Sequence, residues 1–437
     1  MDTAGRATQI HLRDFTSRPM RAFHMSWLAF FASFVAWFAV APLMPVIRED
    51  LGLTKEQVGN SVIASVAITI FVRLLVGRLL DRFGPRRVYS ALLVAGSLPV
   101  MAIGLVQSYE TFLLMRMAIG AIGASFVITQ YHTSLMFAPS VVGTANATAA
   151  GWGNLGGGAT QLLMPLVLGL LVSLGVEATL GWRLAMVAPG AALFVTGLFY
   201  ARVTQDTPRG NFEDLERSGA AGPPPASFCS AARDPRVWAL FVAYGACFGL
   251  EITLDNLAAL YFFDRFELGL TAAGAIAAGF GAMNLFARAL GGWLSDRVGR
   301  ARGVTGRATL LGLLLLFEGF ALLAFSRADS LLLAVPALLV VGLFIKMSNG
   351  ATYGVVPFVN RRALGSVTGI VGAGGNAGAV AAGFLFRSEG LAMQDAFLWL
   401  GAVVTFASAF AFLLSLWIDD ASRTGAEAPA LAPGAST

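Results

Sequence analysis

Arg73 and Arg288 are the residues from which a chemistry can be argued. Each stands eight residues before the aspartate of a duplicated loop, Gly77-Arg-Leu-Leu-Asp81-Arg82-Phe-Gly84-Pro-Arg-Arg87 and Gly292-Trp-Leu-Ser-Asp296-Arg297-Val-Gly299-Arg300. Along a helix, eight residues span ~12 Å, which carries each guanidinium from the edge of a bilayer toward its middle. A cation at that depth is costly unless it faces a cavity or a partner, so its first reading is functional. The guanidinium is a planar fork of donors that keeps its charge when buried, and it matches a flat oxyanion. Two of them facing each other would make an anion site. The competing arrangement pairs each with an intramembrane carboxylate, Glu251 or Glu318.

The elements that position these arginines follow from composition. With 57% hydrophobic and 13% charged residues and a mean hydropathy of +0.72, the 437-residue chain has too little polar surface to cover a soluble globule. Twelve apolar stretches are long enough to cross a bilayer, at about 24–45, 57–79, 88–107, 111–136, 144–171, 183–202, 236–262, 272–294, 308–326, 330–357, 364–386 and 393–417. Short alternating strands are not the pattern, which argues against an outer-membrane barrel. The expected fold is an all-α membrane protein of twelve helices in two pseudo-symmetric six-helix bundles, 1–202 and 236–417. Between them 203–235, with its Gly222-Pro-Pro-Pro225 run, reads as a solvated cytoplasmic linker, and 418–437 as a disordered cytoplasmic tail.

The net charge of +5 does not form a nucleic-acid patch, because the arginines sit in short loops. They gather on one side, about three times as many as on the other, which puts both termini in the cytoplasm and the protein in a bacterial inner membrane. The first apolar segment is too long for a cleaved signal and reads as a retained helix. Cys229 and Cys247 offer neither a disulfide framework nor metal spacing, and no catalytic constellation, metal set or cofactor-binding loop appears. The chain does not read as an enzyme.

A second duplication is glycine-rich. Gly151-Trp-Gly153-Asn154-Leu-Gly156-Gly-Gly158 lies in the fifth span and Gly372-Ala-Gly374-Gly375-Asn376-Ala-Gly378 in the eleventh. Glycines permit close helix packing, while an amide in lipid needs partners and can donate to a small anion. With Phe23-His-Met-Ser-Trp27, Gly249-Leu-Glu251-Ile-Thr-Leu-Asp255-Asn256, Phe286-Ala-Arg288 and Gly350-Ala-Thr-Tyr-Gly-Val-Val-Pro-Phe358, these segments resemble the nitrate/nitrite porter family of the major facilitator superfamily, and most closely its assimilatory uptake branch. The loop pattern around Asp81, Arg82, Asp296 and Arg297 resembles that superfamily's cytoplasmic signature, which clasps helices in one of the alternating states.

The resemblance implies nitrate or nitrite as cargo, carried by a monomer in the lipid bilayer. It puts the substrate arginines at Arg73 and Arg288, the fifth-span asparagine at Asn154 with Asn376 as its counterpart, and the seventh-span tyrosine at Tyr244. Phe248, and Phe34 from the first span, would limit the cavity. Inward movement of an anion against a negative-inside potential costs about 2.3 kcal/mol per charge per 100 mV, so uptake calls for protons or anion exchange. Glu251, with Asp255 one turn away, is the proton-coupling candidate. Lys346 departs from the uncharged residue the resemblance implies, and its expected partner is Glu318 of the neighbouring span. His132 is expected to be a packing histidine. Because fold does not settle cargo, a carrier for an organic anion, a nitrate/nitrite antiporter and a nitrate sensor that moves nothing remain alternatives at this point.

Overall fold

A computed structural model describes residues 1–219, 227–268, 270–386 and 391–423. The Gly222–Pro225 run and the tail from 424 onward lie outside these residues. Twelve long helices cross one layer, and among the described residues there is no β-strand beyond isolated bridges such as Ala7 with Phe137. In chain order they are α1 (Arg18–Phe38), α2 (Lys55–Phe83), α3 (Pro85–Ala102), α4 (Tyr109–Met136), α5 (Val142–Ser173), α6 (Ala178–Val203), α7 (Pro235–Phe266), α8 (270–302), α9 (304–326), α10 (Leu331–Val355), α11 (Leu364–Phe386) and α12 (Met393–Arg423).

α8 tightens into a 3-10 turn at Met283–Leu285, and from Ala287 it runs on into α9 as one helical stretch except at Gly303, whose φ of 64° and ψ of −157° lie outside the helical region. A 52-residue apolar helix, Ala275–Ser326, would reach ~78 Å if straight, far beyond the ~30 Å of a hydrocarbon core. The turn at Gly303 divides it in two. Helix starts are marked by local chemistry: Thr54 and Gln57 form a reciprocal capping box on α2, as Ser108 and Thr111 do on α4, and α3 and α7 open with proline in the first turn. Two boundaries differ from expectation. α1 begins at Arg18 rather than near 24, because Met20, Ala22 and Phe23 are buried against Met136 and Phe137, and α12 runs to Arg423, past the expected start of the tail.

Apolar side chains such as Phe71, Leu75, Leu105, Leu166 and Phe406 point outward. A lipid solvent accepts that surface, and helices satisfy their backbone internally, so this is the expected outside of a membrane bundle. The halves meet along α2 with α11 and along α5 with α8 and α10. These contacts repeat by pseudo-symmetry. A Cβ on Gly77 would meet the Gly365 carbonyl at 2.5 Å, and one on Gly292 would collide with the Gly143 carbonyl. Only glycine lets these backbones approach so closely.

Candidate functional site

At the arginine-rich face two aspartates reach across to the opposite half. Asp81, near the end of α2, accepts from the backbone N–H groups of Gly365 (2.8 Å) and Ser366 (2.9 Å) and from Ser366 Oγ (2.8 Å), at the start of α11. Asp296 of α8 does the same for α5, accepting from Gly143 N (3.0 Å), Thr144 N (2.6 Å) and Thr144 Oγ1 (2.7 Å). A helix N-terminus presents unpaired N–H groups and partial positive charge, and a carboxylate answers both. The two clasps therefore hold the halves together on this face. Arg82 and Arg297 take no part in them; each lies over an aromatic ring of its own helix, Phe83 at 5.1 Å and Trp293 at 5.4 Å. Instead Arg307, at the start of α9, pairs with Asp296 at 2.7 Å and donates to the Pro139 carbonyl at 2.7 Å.

Deeper in the bundle, Arg73 of α2 and Arg288 of α8 are buried and stand in unlike company. Arg73 has only carbonyl oxygens: Nε and Nη2 donate to Gly123 at 3.2 Å, and Nη1 donates across the half-to-half interface to Gly372 at 2.5 Å. Gly123 lies where α4 tightens into a 3-10 turn. Arg288 Nη2 donates to Glu251 of α7 at 2.8 Å, while its Nε and Nη1 have no hydrogen-bond partner. So one arginine has its own acid and the other has none.

Glu251 is the hub. Its Oε1 accepts from Lys346 Nζ (3.0 Å) and Asn284 Nδ2 (2.9 Å), and its Oε2 from Arg288 Nη2 (2.8 Å) and Asn349 Nδ2 (2.5 Å). This corrects the expected pairing of Lys346 with Glu318. α10 turns Lys346 and Asn349, three residues apart and so on one face, toward α7. Of the three buried cations, Arg288 and Lys346 share the Glu251 carboxylate and Arg73 bonds no acid. Asp255, one turn along α7, is exposed within electrostatic range of Lys346 and Arg288.

The two guanidinium groups share a ring. Each Cζ lies 5.7 Å from the centroid of Phe248, so the groups are at most twice that distance apart. Phe248 stacks on Tyr244 (5.1 Å, 5°), and both stack on Phe126 of α4, with Tyr353 of α10 set edge-on to Tyr244 and to Phe126. Gly375 packs on both Phe248 and Tyr244, and the next residue, Asn376, is buried with neither amide atom bonded. The Tyr244 hydroxyl is likewise without a partner. Arg288 of α8 thus has unspent donors over the Phe248 ring, and the Tyr244 hydroxyl of α7 and the Asn376 amide of α11 are buried without partners.

The remaining sequence candidates lie further out. Phe34 reaches this cluster only through Phe30, which touches Phe126. Asn154 is half-buried with Oδ1 unbonded, and its neighbours pack α5 on α1 and α8: Gly153 on Phe30, Gly156 on the Phe31 carbonyl and Gly151 on the Asn284 carbonyl. Gly374 packs on Phe241. His132 bonds Tyr200 and the Gln205 carbonyl, the expected packing role. Sequence reasoning missed Asn284, whose signal is its spacing of four from Arg288; Tyr353, which lies in the Gly350–Phe358 segment without being singled out there; and Phe126, which nothing sets apart among 33 phenylalanines. The described residues hold no group of side chains that could ligate a metal.

Two six-helix bundles that meet on a buried cluster of cations and aromatic rings, with one arginine from each half, define a membrane carrier rather than an enzyme. Residues 26–383 match the Major Facilitator Superfamily. The chain is 41% identical to high affinity nitrate transporter 2.5 of Arabidopsis thaliana over 388 residues, covering 88% of this chain and 77% of that protein. It is 28% identical to the nitrate/nitrite transporter NrtP of a Picosynechococcus species, over 82% of this chain and 83% of that one. Among solved structures the human organic anion transporter MFSD10 superposes with a TM-score of 0.61 at 15% identity, over 92% of this chain and 99% of that one, a likeness of fold alone. The chain belongs to the nitrate/nitrite porter family of the major facilitator superfamily.

Proposed function

We propose that this protein carries nitrate and nitrite across the membrane by alternating access, with inward movement of nitrate coupled to protons. The observation behind this reading is the charge balance at Phe248: two guanidinium groups, one from each half, and Lys346 nearby, with Glu251 as the one carboxylate in contact. Such a pocket favours a guest anion. A planar trigonal oxyanion suits the guanidinium fork and the flat walls of Phe126, Tyr244 and Phe248. The relatives' names point to the same cargo.

On this reading nitrate takes up the two unspent N–H groups of Arg288 and draws Arg73 from its carbonyls, while Tyr244, Asn376 and Asn154 supply neutral donors. Glu251 is the internal anion with which nitrate competes for Arg288. The clasps at Asp81 and Asp296 then release, the halves rock about the site, and the arginine-rich face opens to the cytoplasm. The 1–202 and 236–417 halves act as the two moving bodies, and one chain suffices.

The test is purified protein in liposomes that contain a nitrate-responsive reporter. Nitrate influx is expected, with affinity weakened at least about tenfold in Arg73→Lys and in Arg288→Lys although charge is kept. Near-normal affinity in either variant, or flux of organic acids without nitrate, would overturn the reading.

A further inference from the structure

Glu318 is a buried acid that this cycle does not use. It lies midway along α9, wholly buried, and neither of its oxygens has a hydrogen-bond partner. It is the sole titratable residue of α9 between Arg307 and Arg327. From α7 it is faced by Cys247 and, at longer range, by Glu251; from α10 by Ser348, whose Oγ is also unbonded. α12 packs beside it, with Thr405 against Gly319, and has no charged residue between Asp395 and Asp419. The nearby cations Lys346 and Arg288 are turned to Glu251.

A carboxylate buried with no cation beside it and only the Ser348 hydroxyl facing it costs several kcal/mol, so the form that fits this position is the neutral acid. An apolar side chain would fill the same space without that penalty. The position also has electrical consequences, because Glu318 is within electrostatic range of Glu251 and of Cys247, the neighbour of Phe248. If ionised, Glu318 would supply the negative charge that the cationic pocket lacks and so stand in for the guest. If neutral, it leaves that charge to be supplied by the anion.

We propose that Glu318 is the carboxyl that binds the cotransported proton, and that its neutral form is the one in which the Arg73–Arg288 site accepts nitrate. This rests on the nitrate reading above and assigns the proton within it. Proton and anion then load together from water on one face and leave together to water on the other, with no change in any other bond. Glu251 is unsuited to that task in the state described here, because four donors already occupy its oxygens.

The experiment measures nitrate affinity of the full-length protein between about pH 6 and about pH 9, a range in which buried carboxyls titrate. Affinity of the unmodified protein is expected to fall with rising pH, approaching about tenfold per pH unit for one linked proton. Glu318→Gln should bind nitrate with an affinity that no longer depends on pH, and Glu318→Asp should restore the slope. A wild-type slope in Glu318→Gln would overturn the assignment. Should that variant not fold, proton uptake by the unmodified protein on nitrate addition, followed with a dye in weak buffer, still decides: nitrate binding with no proton uptake at any pH sinks the proposal alone. Absence of nitrate binding sinks the functional reading itself.

Discussion

Arg288 donates to Glu251 at 2.8 Å, whereas Arg73, at the equivalent offset in the other half, meets only the carbonyl oxygens of Gly123 and Gly372. The duplicated arginines have therefore diverged in what they hold when they face one another. On the proposed cycle Arg288 would exchange one anion for another, and Arg73 would give up neutral acceptors.

The same ion cluster makes a stability prediction. Glu251 answers both Arg288 and Lys346, and all three are buried. Removing one partner of a buried pair leaves an uncompensated charge and costs about 3 to 5 kcal/mol, while replacing both partners costs far less. Glu251→Gln alone strands both cations and should lower the unfolding temperature in detergent most, Lys346→Met alone leaves Glu251 paired with Arg288 and should lower it least, and the double variant, which strands Arg288 alone, should recover part of the Glu251→Gln loss. Strict additivity would mean that the 3.0 Å contact carries no coupling.

Phe248 offers its ring to both guanidinium groups at 5.7 Å. A desolvated cation over an aromatic face is worth about 2 kcal/mol, or roughly thirtyfold in binding. Phe248→Leu keeps the apolar volume and removes the ring. Nitrate affinity is expected to fall by at least about tenfold, more than in Phe34→Leu, because Phe34 meets neither arginine. Equal losses in a nitrate-binding assay would refute the central place given to Phe248.

Close approach at Gly77 and Gly292 should be selective for one state. A Cβ at Gly77 meets the Gly365 backbone only while α2 and α11 are pressed together at the arginine-rich face. Gly77→Val and Gly292→Val are thus expected to disfavour that closed state and leave each half folded. Distances between spin labels on the two halves at that face should lengthen in both variants while the circular dichroism stays unchanged. Unaltered distances would show that the interface gives way without opening.

Much of this was legible in the sequence, for physical reasons. Depth in a bilayer is read by counting along a helix, so the eight-residue offset from Asp81 and Asp296 sets Arg73 and Arg288 well inside their spans, and both side chains are buried. Rotation about a helix axis is harder to read in a span that is apolar all round. That is why Lys346 was assigned to Glu318 on the adjacent span, when the face it shares with Asn349 looks to Glu251 on α7. Phe126 is unmarked for the same reason, since an aromatic residue in such a helix carries no sign of whether it meets lipid, packing or a guest, and Tyr353, though inside the Gly350–Phe358 segment, is not told from its neighbours there. The charged loop falls between the two spans, and the backbone turns out of helical geometry within it at Gly303.

The two clasps should differ in strength. Asp81 receives only neutral donors, and Asp81→Asn keeps one accepting oxygen, so it costs at most the about 0.5 to 2 kcal/mol of a lost cap. Asp296 carries the same cap and in addition the Arg307 guanidinium at 2.7 Å, which also ties down the Pro139 carbonyl ahead of α5. Asp296→Asn leaves that buried cation without its acid and is expected to cost about 3 to 5 kcal/mol. Amide hydrogen exchange at the start of α5 should therefore accelerate far more in Asp296→Asn than exchange at the start of α11 does in Asp81→Asn. Adding Arg307→Met to Asp296→Asn should bring the two clasps back toward parity, since only the caps would then be missing. If exchange at the two helix starts responds alike in the single variants, Arg307 contributes nothing to closure, and its contacts with Asp296 and Pro139 follow the closing of the halves rather than holding it.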